Sequence, residues 1–166
     1  MPPEAAQEAV ADEHAPSATA EVREAPTCLT AEEADRMADQ VVQLVNLERV
    51  AEKVPPTAMN DKLAKIAGDY ACEMIEEGFF GHRNPMTGHD QADRAVAGKY
   101  VYYAIGENLA VGQQTPAEVM KEWMESPAHH DAILDPTWTE IGVAVRLGGE
   151  YSIYWVQLFG HPAEDF

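Results

Sequence analysis

Ile141-Gly142-Val143-Ala144-Val145-Arg146-Leu147-Gly148-Gly149, with Tyr151-Ser152-Ile153-Tyr154-Trp155-Val156-Gln157-Leu158-Phe159 close behind, is the stretch that decides the fold. In the first run Ile141, Val143, Val145 and Leu147 alternate with Gly142, Ala144 and Arg146, the period-two pattern of a strand. Gly148-Gly149 signals a hairpin. The second run is apolar on both faces, with Ile153 and Trp155 on one and Tyr154, Val156 and Leu158 on the other. A strand with one face in water alternates cleanly, so one that is apolar on both sides is covered on both. Helical segments precede it, and the simplest packing is an α+β fold: a three-layer α-β-α sandwich around a central, mainly antiparallel sheet.

Working outward, Thr30 and Glu33 have capping-box spacing, and Met37, Val41, Leu44, Val45 and Glu48 keep helical spacing, which predicts a helix over 31–51. Pro55-Pro56 breaks the chain. Asn60 as N-cap and Gly78 as stop bracket an amphipathic helix with Leu63, Ala67, Tyr70 and Met74 on one face. Phe79 to Pro85 reads as a loop, with a short helix near 89–97. Tyr100 to Ile105 is β-prone and leads into Gly106-Glu107-Asn108-Leu109. Thr115 caps a helix that starts at Pro116, carries Val119, Met120, Trp123 and Met124 as core, and stops near Ser126-Pro127. A helical turn from Ala128 to Leu134 follows. Residues 1–27, rich in Ala, Glu and Pro, bury too little to offset the entropy of ordering and read as a flexible tail or linker before a folded domain at 28–166.

The chain has 166 residues, 11 basic against 29 acidic, for a net charge of -18. Such a field repels phosphate backbones and anionic bilayers, which argues against nucleic-acid and membrane-surface partners. It serves solubility or the recruitment of a cationic partner. No apolar run reaches the roughly 20 residues of a transmembrane helix. Met1-Pro2-Pro3-Glu4 lacks the basic start and apolar middle of a signal peptide, so either the protein stays inside the cell or an export signal is absent from this sequence. The two cysteines bear on that choice. Cys72 falls on the polar face of its helix, where a free thiol is unusual, and Cys28 sits just before the first helix. A Cys28–Cys72 disulfide favours an oxidising, extracytoplasmic compartment; the alternative is two reduced thiols.

Candidate chemistry is dispersed. There are six histidines, of which His14 and His161 read as solvated. His82 lies in a loop beside aromatics, and His129 and His130 open a helical turn after Ser126-Pro127. Glu107 sits between apolar neighbours, where a carboxylate needs a partner. No His-Glu-x-x-His motif, Gly-rich phosphate loop or Gly-x-Ser-x-Gly turn is present.

Seven segments in order carry a resemblance: Leu44-Val45-Asn46-Leu47-Glu48-Arg49; Leu63-Ala64-Lys65-Ile66-Ala67; Phe80-Gly81-His82; Gly106-Glu107-Asn108-Leu109-Ala110; Trp123-Met124-Glu125-Ser126-Pro127-Ala128-His129; Glu140-Ile141-Gly142-Val143-Ala144; and Tyr154-Trp155-Val156-Gln157-Leu158-Phe159-Gly160. From about Leu44 to Pro162 the chain resembles the CAP superfamily (cysteine-rich secretory, antigen 5 and pathogenesis-related proteins, with the SCP-like domain) in its short bacterial form. The resemblance implies an α-β-α sandwich and a cleft of two histidines and two acids that in some members holds a divalent metal. His82 matches the first histidine, Glu107 the first acid, and His129 the second imidazole by way of Ser126-Pro127-Ala128-His129, with His130 beside it. Ser126 stands where the second acid is usual, and Glu125 is only a neighbour of that position.

His82, Glu107 and His129 could therefore hold a zinc-like ion with an open position for water. They could instead form a hydrogen-bonded network that holds the cleft walls together. The resemblance implies a secreted module that binds a metal, a small amphiphile or a protein partner, with Phe79, Phe80, Tyr102, Tyr103 and Trp138 as its apolar walls. The alternatives are a metal-dependent hydrolase with Glu107 as general base, and a non-catalytic surface interaction module. A monomer is expected.

Overall fold

The computed structural model describes residues 27–164; apart from Thr27, the expected tail lies outside the described residues. Helix α1 is Glu32–Ala51, and strand β1 is Ala58–Met59. Helices α2 (Asp61–Glu77) and α3 (Gln91–Ala97) follow, then strand β2, Tyr102–Val111. Helices α4 (Pro116–Glu125) and α5 (Pro127–Leu134) precede strands β3 (Glu140–Leu147) and β4 (Ile153–Pro162).

The strands lie in the order β1-β3-β4-β2. β4 pairs antiparallel with β3 and β2, and the two-residue β1 pairs parallel with β3. The central β4 is buried from Ile153 to Gly160, as a run apolar on both faces requires. Two cores flank the sheet. One joins Val41, Val45, Trp123 and Ile133 from α1, α4 and α5 to Ile141, Val145, Trp155 and Phe159. The other joins Leu63, Tyr70, Met74 and Ile75 of α2 to Leu109, Val156 and Leu158. The expected α-β-α sandwich is therefore present.

Local signals explain most element ends. Asn60 accepts from the Leu63 amide at 3.1 Å, and Thr115 from Glu118 at 3.1 Å, so both N-caps form. Gly78 ends α2 in the left-handed region at φ 76°, where a side chain would be strained. Four features differ from expectation. The Thr30–Glu33 capping box is absent: α1 is capped by Ala31 without a side-chain bond, and Glu33 pairs with Arg36 at 2.9 Å. Three acids in the first turn complement the helix dipole instead. β2 does not stop at Ile105 but runs through Glu107 to Val111. Gly148-Gly149 opens a five-residue connection, with Gly148 bonded to the Ser152 carbonyl at 2.9 Å, so β4 begins at Ile153 and not at Tyr151. β1 is too short to leave a hydropathy pattern.

Three long-range ties hold the layers in register. Cys28 and Cys72 form a disulfide across 44 residues, which joins the start of the domain to α2. Arg49 is fully buried and donates to the carbonyls of Pro55, Ile133, Asp135 and Trp138 at 2.8–3.1 Å. Burial lowers its pKa, and the nearby Asp135 charge opposes that. Gly142 lets α2 lie on β3: a Cβ there would stand 2.2 Å from the Ala64 amide nitrogen.

Reduction of Cys28–Cys72 should lower the melting temperature by about 5–15 °C, since such a bridge contributes roughly 2–4 kcal/mol. Differential scanning calorimetry with and without reductant checks this, and Cys28→Ser should reproduce the shift without reductant. Arg49→Ala should destabilise by about 3–5 kcal/mol in urea unfolding because several buried carbonyls lose their donors, and Arg49→Lys should recover little of it.

Candidate functional site

Glu107 fixes where the polar cleft lies. It pairs with Leu158 in the middle of β2, and its side chain is 0% exposed. A carboxylate in that setting demands a proton or a cation. The chain provides a cation. Arg94 of α3 directs Nη2 to both oxygens of Glu107, at 2.8 Å and 3.0 Å. His82 Nδ1 lies 2.8 Å from Oε1. The carboxylate only accepts, so Nδ1 carries the proton.

Arg94 is itself caged. Its Nη1 donates to the His82 carbonyl at 3.0 Å and the His89 carbonyl at 3.3 Å. Its guanidinium carbon lies 3.2 Å from the centroid of the Tyr70 ring. The Tyr70 hydroxyl donates to the Gly81 carbonyl. One buried ion pair thus joins β2, α2, α3 and the loop that carries His82. Asp90 and Asp93 close a capping box that sets where α3 begins, and with it the position of Arg94. Arg94 was not among the sequence candidates. The available signal was the unmet need of Glu107 in a chain with only 11 basic residues.

His129, on α5, is buried, and its carbonyl accepts from Asn108 Nδ2 at 3.3 Å. That amide also donates to Gln157 Oε1 at 2.9 Å. Successive strand residues point to opposite faces, so Glu107 looks toward α2 and α3 while Asn108 looks toward α5. The His82 side chain thus meets β2 through Glu107 on one face, and the His129 carbonyl meets it through Asn108 on the other. Among the described residues no group of three or more His, Cys, Asp or Glu side chains could hold a metal ion, so the expected trio of His82, Glu107 and His129 does not form one. Ser126 links α4 to α5 at their shared boundary and makes no side-chain cap bond. His130 pairs with Asp131 at 3.2 Å, and Glu125 with Lys121 at 3.1 Å, both at the surface.

Nor do the five aromatic residues form a single wall. Phe79, Phe80 and Tyr102 belong to the core under α2, whereas Trp138 stacks on Phe159 in the other core at 5.9 Å. Tyr103 is exposed beside His161. A groove of about 420 Å³ does open beside Arg94, between α2 and α3, with Lys62, Lys65, Lys99 and His89 at its rim and Tyr70 and Ile66 below. Lys65 is paired with Asp69 at 2.8 Å, and Glu73, also in the lining, binds Asn84 at 2.6 Å. Lys62 donates to the Lys99 carbonyl at 3.1 Å.

Removing Arg94 should be costly, and removing both charges much less so. Arg94→Ala should destabilise by about 3–5 kcal/mol, while Arg94→Met with Glu107→Leu should recover most of the loss in urea unfolding. Burial raises the Tyr70 pKa against the opposing effect of Arg94, and raises that of Tyr100, which also donates to Glu140 at 2.7 Å. A folded pKa above the unfolded value of about 10 gives stability that is full below that pH and is lost as pH rises beyond it. Denaturation followed from about pH 9 to about pH 11.5 should show this decline, with less of it in Tyr100→Phe.

Comparison with known proteins agrees with the architecture. The model of the "CAP: Cysteine-rich secretory protein family" matches residues 42–159. YkwD of Bacillus subtilis (strain 168) is 36% identical over 120 residues, which is 72% of this chain and 45% of YkwD. The chain thus spans less than half of that relative. A crystal structure of an extracellular protein containing an SCP domain from Bacillus anthracis superposes with a TM-score of 0.70 at 25% identity, over 80% of this chain and 44% of the other. An outer surface protein from Borrelia burgdorferi shares the fold with a TM-score of 0.72 at 20% identity, over 82% and 98% of the two chains. With most of the chain matched and both faces of the sheet layered as that fold requires, the chain belongs to the cysteine-rich secretory protein (CAP) family.

Proposed function

We propose that the chain acts as an extracytoplasmic, non-catalytic binding module that takes an amphiphile with an anionic head in the groove between α2 and α3. The observation that carries this reading is the placement of cations. In a chain of net charge -18, three lysines meet around one groove whose floor includes an aromatic ring and Ile66. Lys65 is matched by Asp69, which leaves Lys62 and Lys99 to attract an anion. The groove volume suits a small amphiphile. The Cys28–Cys72 bridge and the extracellular Bacillus anthracis relative support an oxidising compartment. Among the described residues no helix is long and apolar enough to cross a membrane.

Binding fits the cleft better than hydrolysis. A general base needs a carboxylate that can reach a substrate proton. Glu107 has 0% side-chain exposure, and both its oxygens are engaged by Arg94.

Titration calorimetry should show dodecyl phosphate binding one-to-one, with affinity falling about tenfold, or about 1.4 kcal/mol, in Lys62→Glu with Lys99→Glu. Dodecyl maltoside should bind more weakly and be indifferent to the two substitutions. Equal binding of the phosphate by wild type and the variant would remove the groove from consideration.

A further inference from the structure

A carboxylate with 0% exposure must be neutralised by a proton, a bound metal ion or a cation of the protein itself. We propose that Arg94 is the resident cation of this cleft: it stands in for a divalent metal, and zinc does not bind at His82, Glu107 and His129. This inference is independent of the amphiphile reading, because it concerns the bonds of Arg94 to Glu107 and His82, neither of which lines the lysine groove.

The donor set around Glu107 suits a planar guanidinium and not a metal sphere. Nη2 bridges the two carboxylate oxygens at 2.8 Å and 3.0 Å. Nη1 finds two backbone carbonyls, those of His82 and His89, at 3.0 Å and 3.3 Å. The flat face of the cation rests on the Tyr70 ring, 3.2 Å from its centroid. A ring face and in-plane oxygens satisfy a delocalised, flat cation. Zinc asks instead for four tetrahedral nitrogen, oxygen or sulfur ligands at about 2 Å. A divalent ion brought to Glu107 would also stand within about 4 Å of a buried guanidinium, where like charges repel strongly.

Displacement is no easier than coexistence. To make way for zinc, Arg94 would have to leave with its charge from a site where its side chain is 9% exposed, and among the described residues no second buried anion is paired with it. His82 is bound into the same unit, since its Nδ1 proton points at Glu107 Oε1. His129 supplies its backbone carbonyl to Asn108 from the other side of the strand. The covalent tether gives the built-in cation a further advantage, because it needs no free ion in the medium and loses no translational freedom on arrival.

The test begins with the wild-type protein, so it does not depend on any variant folding. Long-range proton–nitrogen NMR of the histidine rings should show the His82 signals unmoved by one equivalent of zinc chloride at neutral pH. A shift of the His82 ring nitrogens at that ratio would overturn the proposal. A second arm uses Arg94→Gln, with folding checked by its amide spectrum. It should bind zinc about tenfold more tightly than wild type in competition calorimetry, with the gain abolished by adding Glu107→Gln. Arg94→Lys keeps the charge and should stay at the wild-type level. A folded Arg94→Gln protein with wild-type zinc affinity, or an Arg94→Lys protein with the full gain, would show that the cation is not what keeps metal out.

Discussion

The burial of one carboxylate in the middle of a strand constrains everything around it. Glu107 lies between apolar stretches of β2 with no route to water, so some part of the chain must bring it a positive charge. Arg94 does so, and to stay there it needs a short helix of fixed start, an aromatic ring below and two carbonyls beside it. Those needs set the path of the chain from the end of α2 to the start of β2. The loop that carries His82 is held by its own carbonyls as much as by its side chain. The cleft is thus a product of charge compensation, with its chemistry limited by the same bonds that build it.

The two cores have different wiring. On the α2 side, polar order comes from the Glu107–Arg94 pair. On the other side it comes from Arg49, whose guanidinium is shared among four backbone carbonyls. Three tryptophans add to that side's backbone control: Trp123, Trp138 and Trp155 each donate an indole N–H to a carbonyl, those of Leu109, Ala132 and Gln113. Large apolar side chains with one polar handle can both fill volume and pin irregular segments.

Much of the layering was legible because it depends on patterns a few residues long. The double-sided apolarity of Ile153 to Phe159 required cover on both faces, and Asn60, Gly78, Thr115 and Pro116 marked helix ends by local bonds that need no tertiary context. The site was legible in half. Glu107 announced its need for a partner, and His82 was one answer. Arg94 was hidden because an arginine next to Asp93 in a seven-residue helix has the profile of a solvated residue, and only the sheet's position makes it buried. Sequence shows that an imidazole is near Ser126-Pro127, but which face of β2 its helix covers depends on how α5 packs. The Thr30 pattern failed for want of one residue: α1 begins too late for that hydroxyl to reach its amides.

The bridge from Cys28 to Cys72 has a mechanical meaning as well as a thermodynamic one. Tension on whatever precedes residue 28 does not have to travel along α1; it crosses the sulfur link directly into the middle of α2. The first helix and β1 then lie inside a covalent loop and are shielded from being peeled off the sheet. A module pulled from its amino-terminal side would transmit load through its best-packed helix.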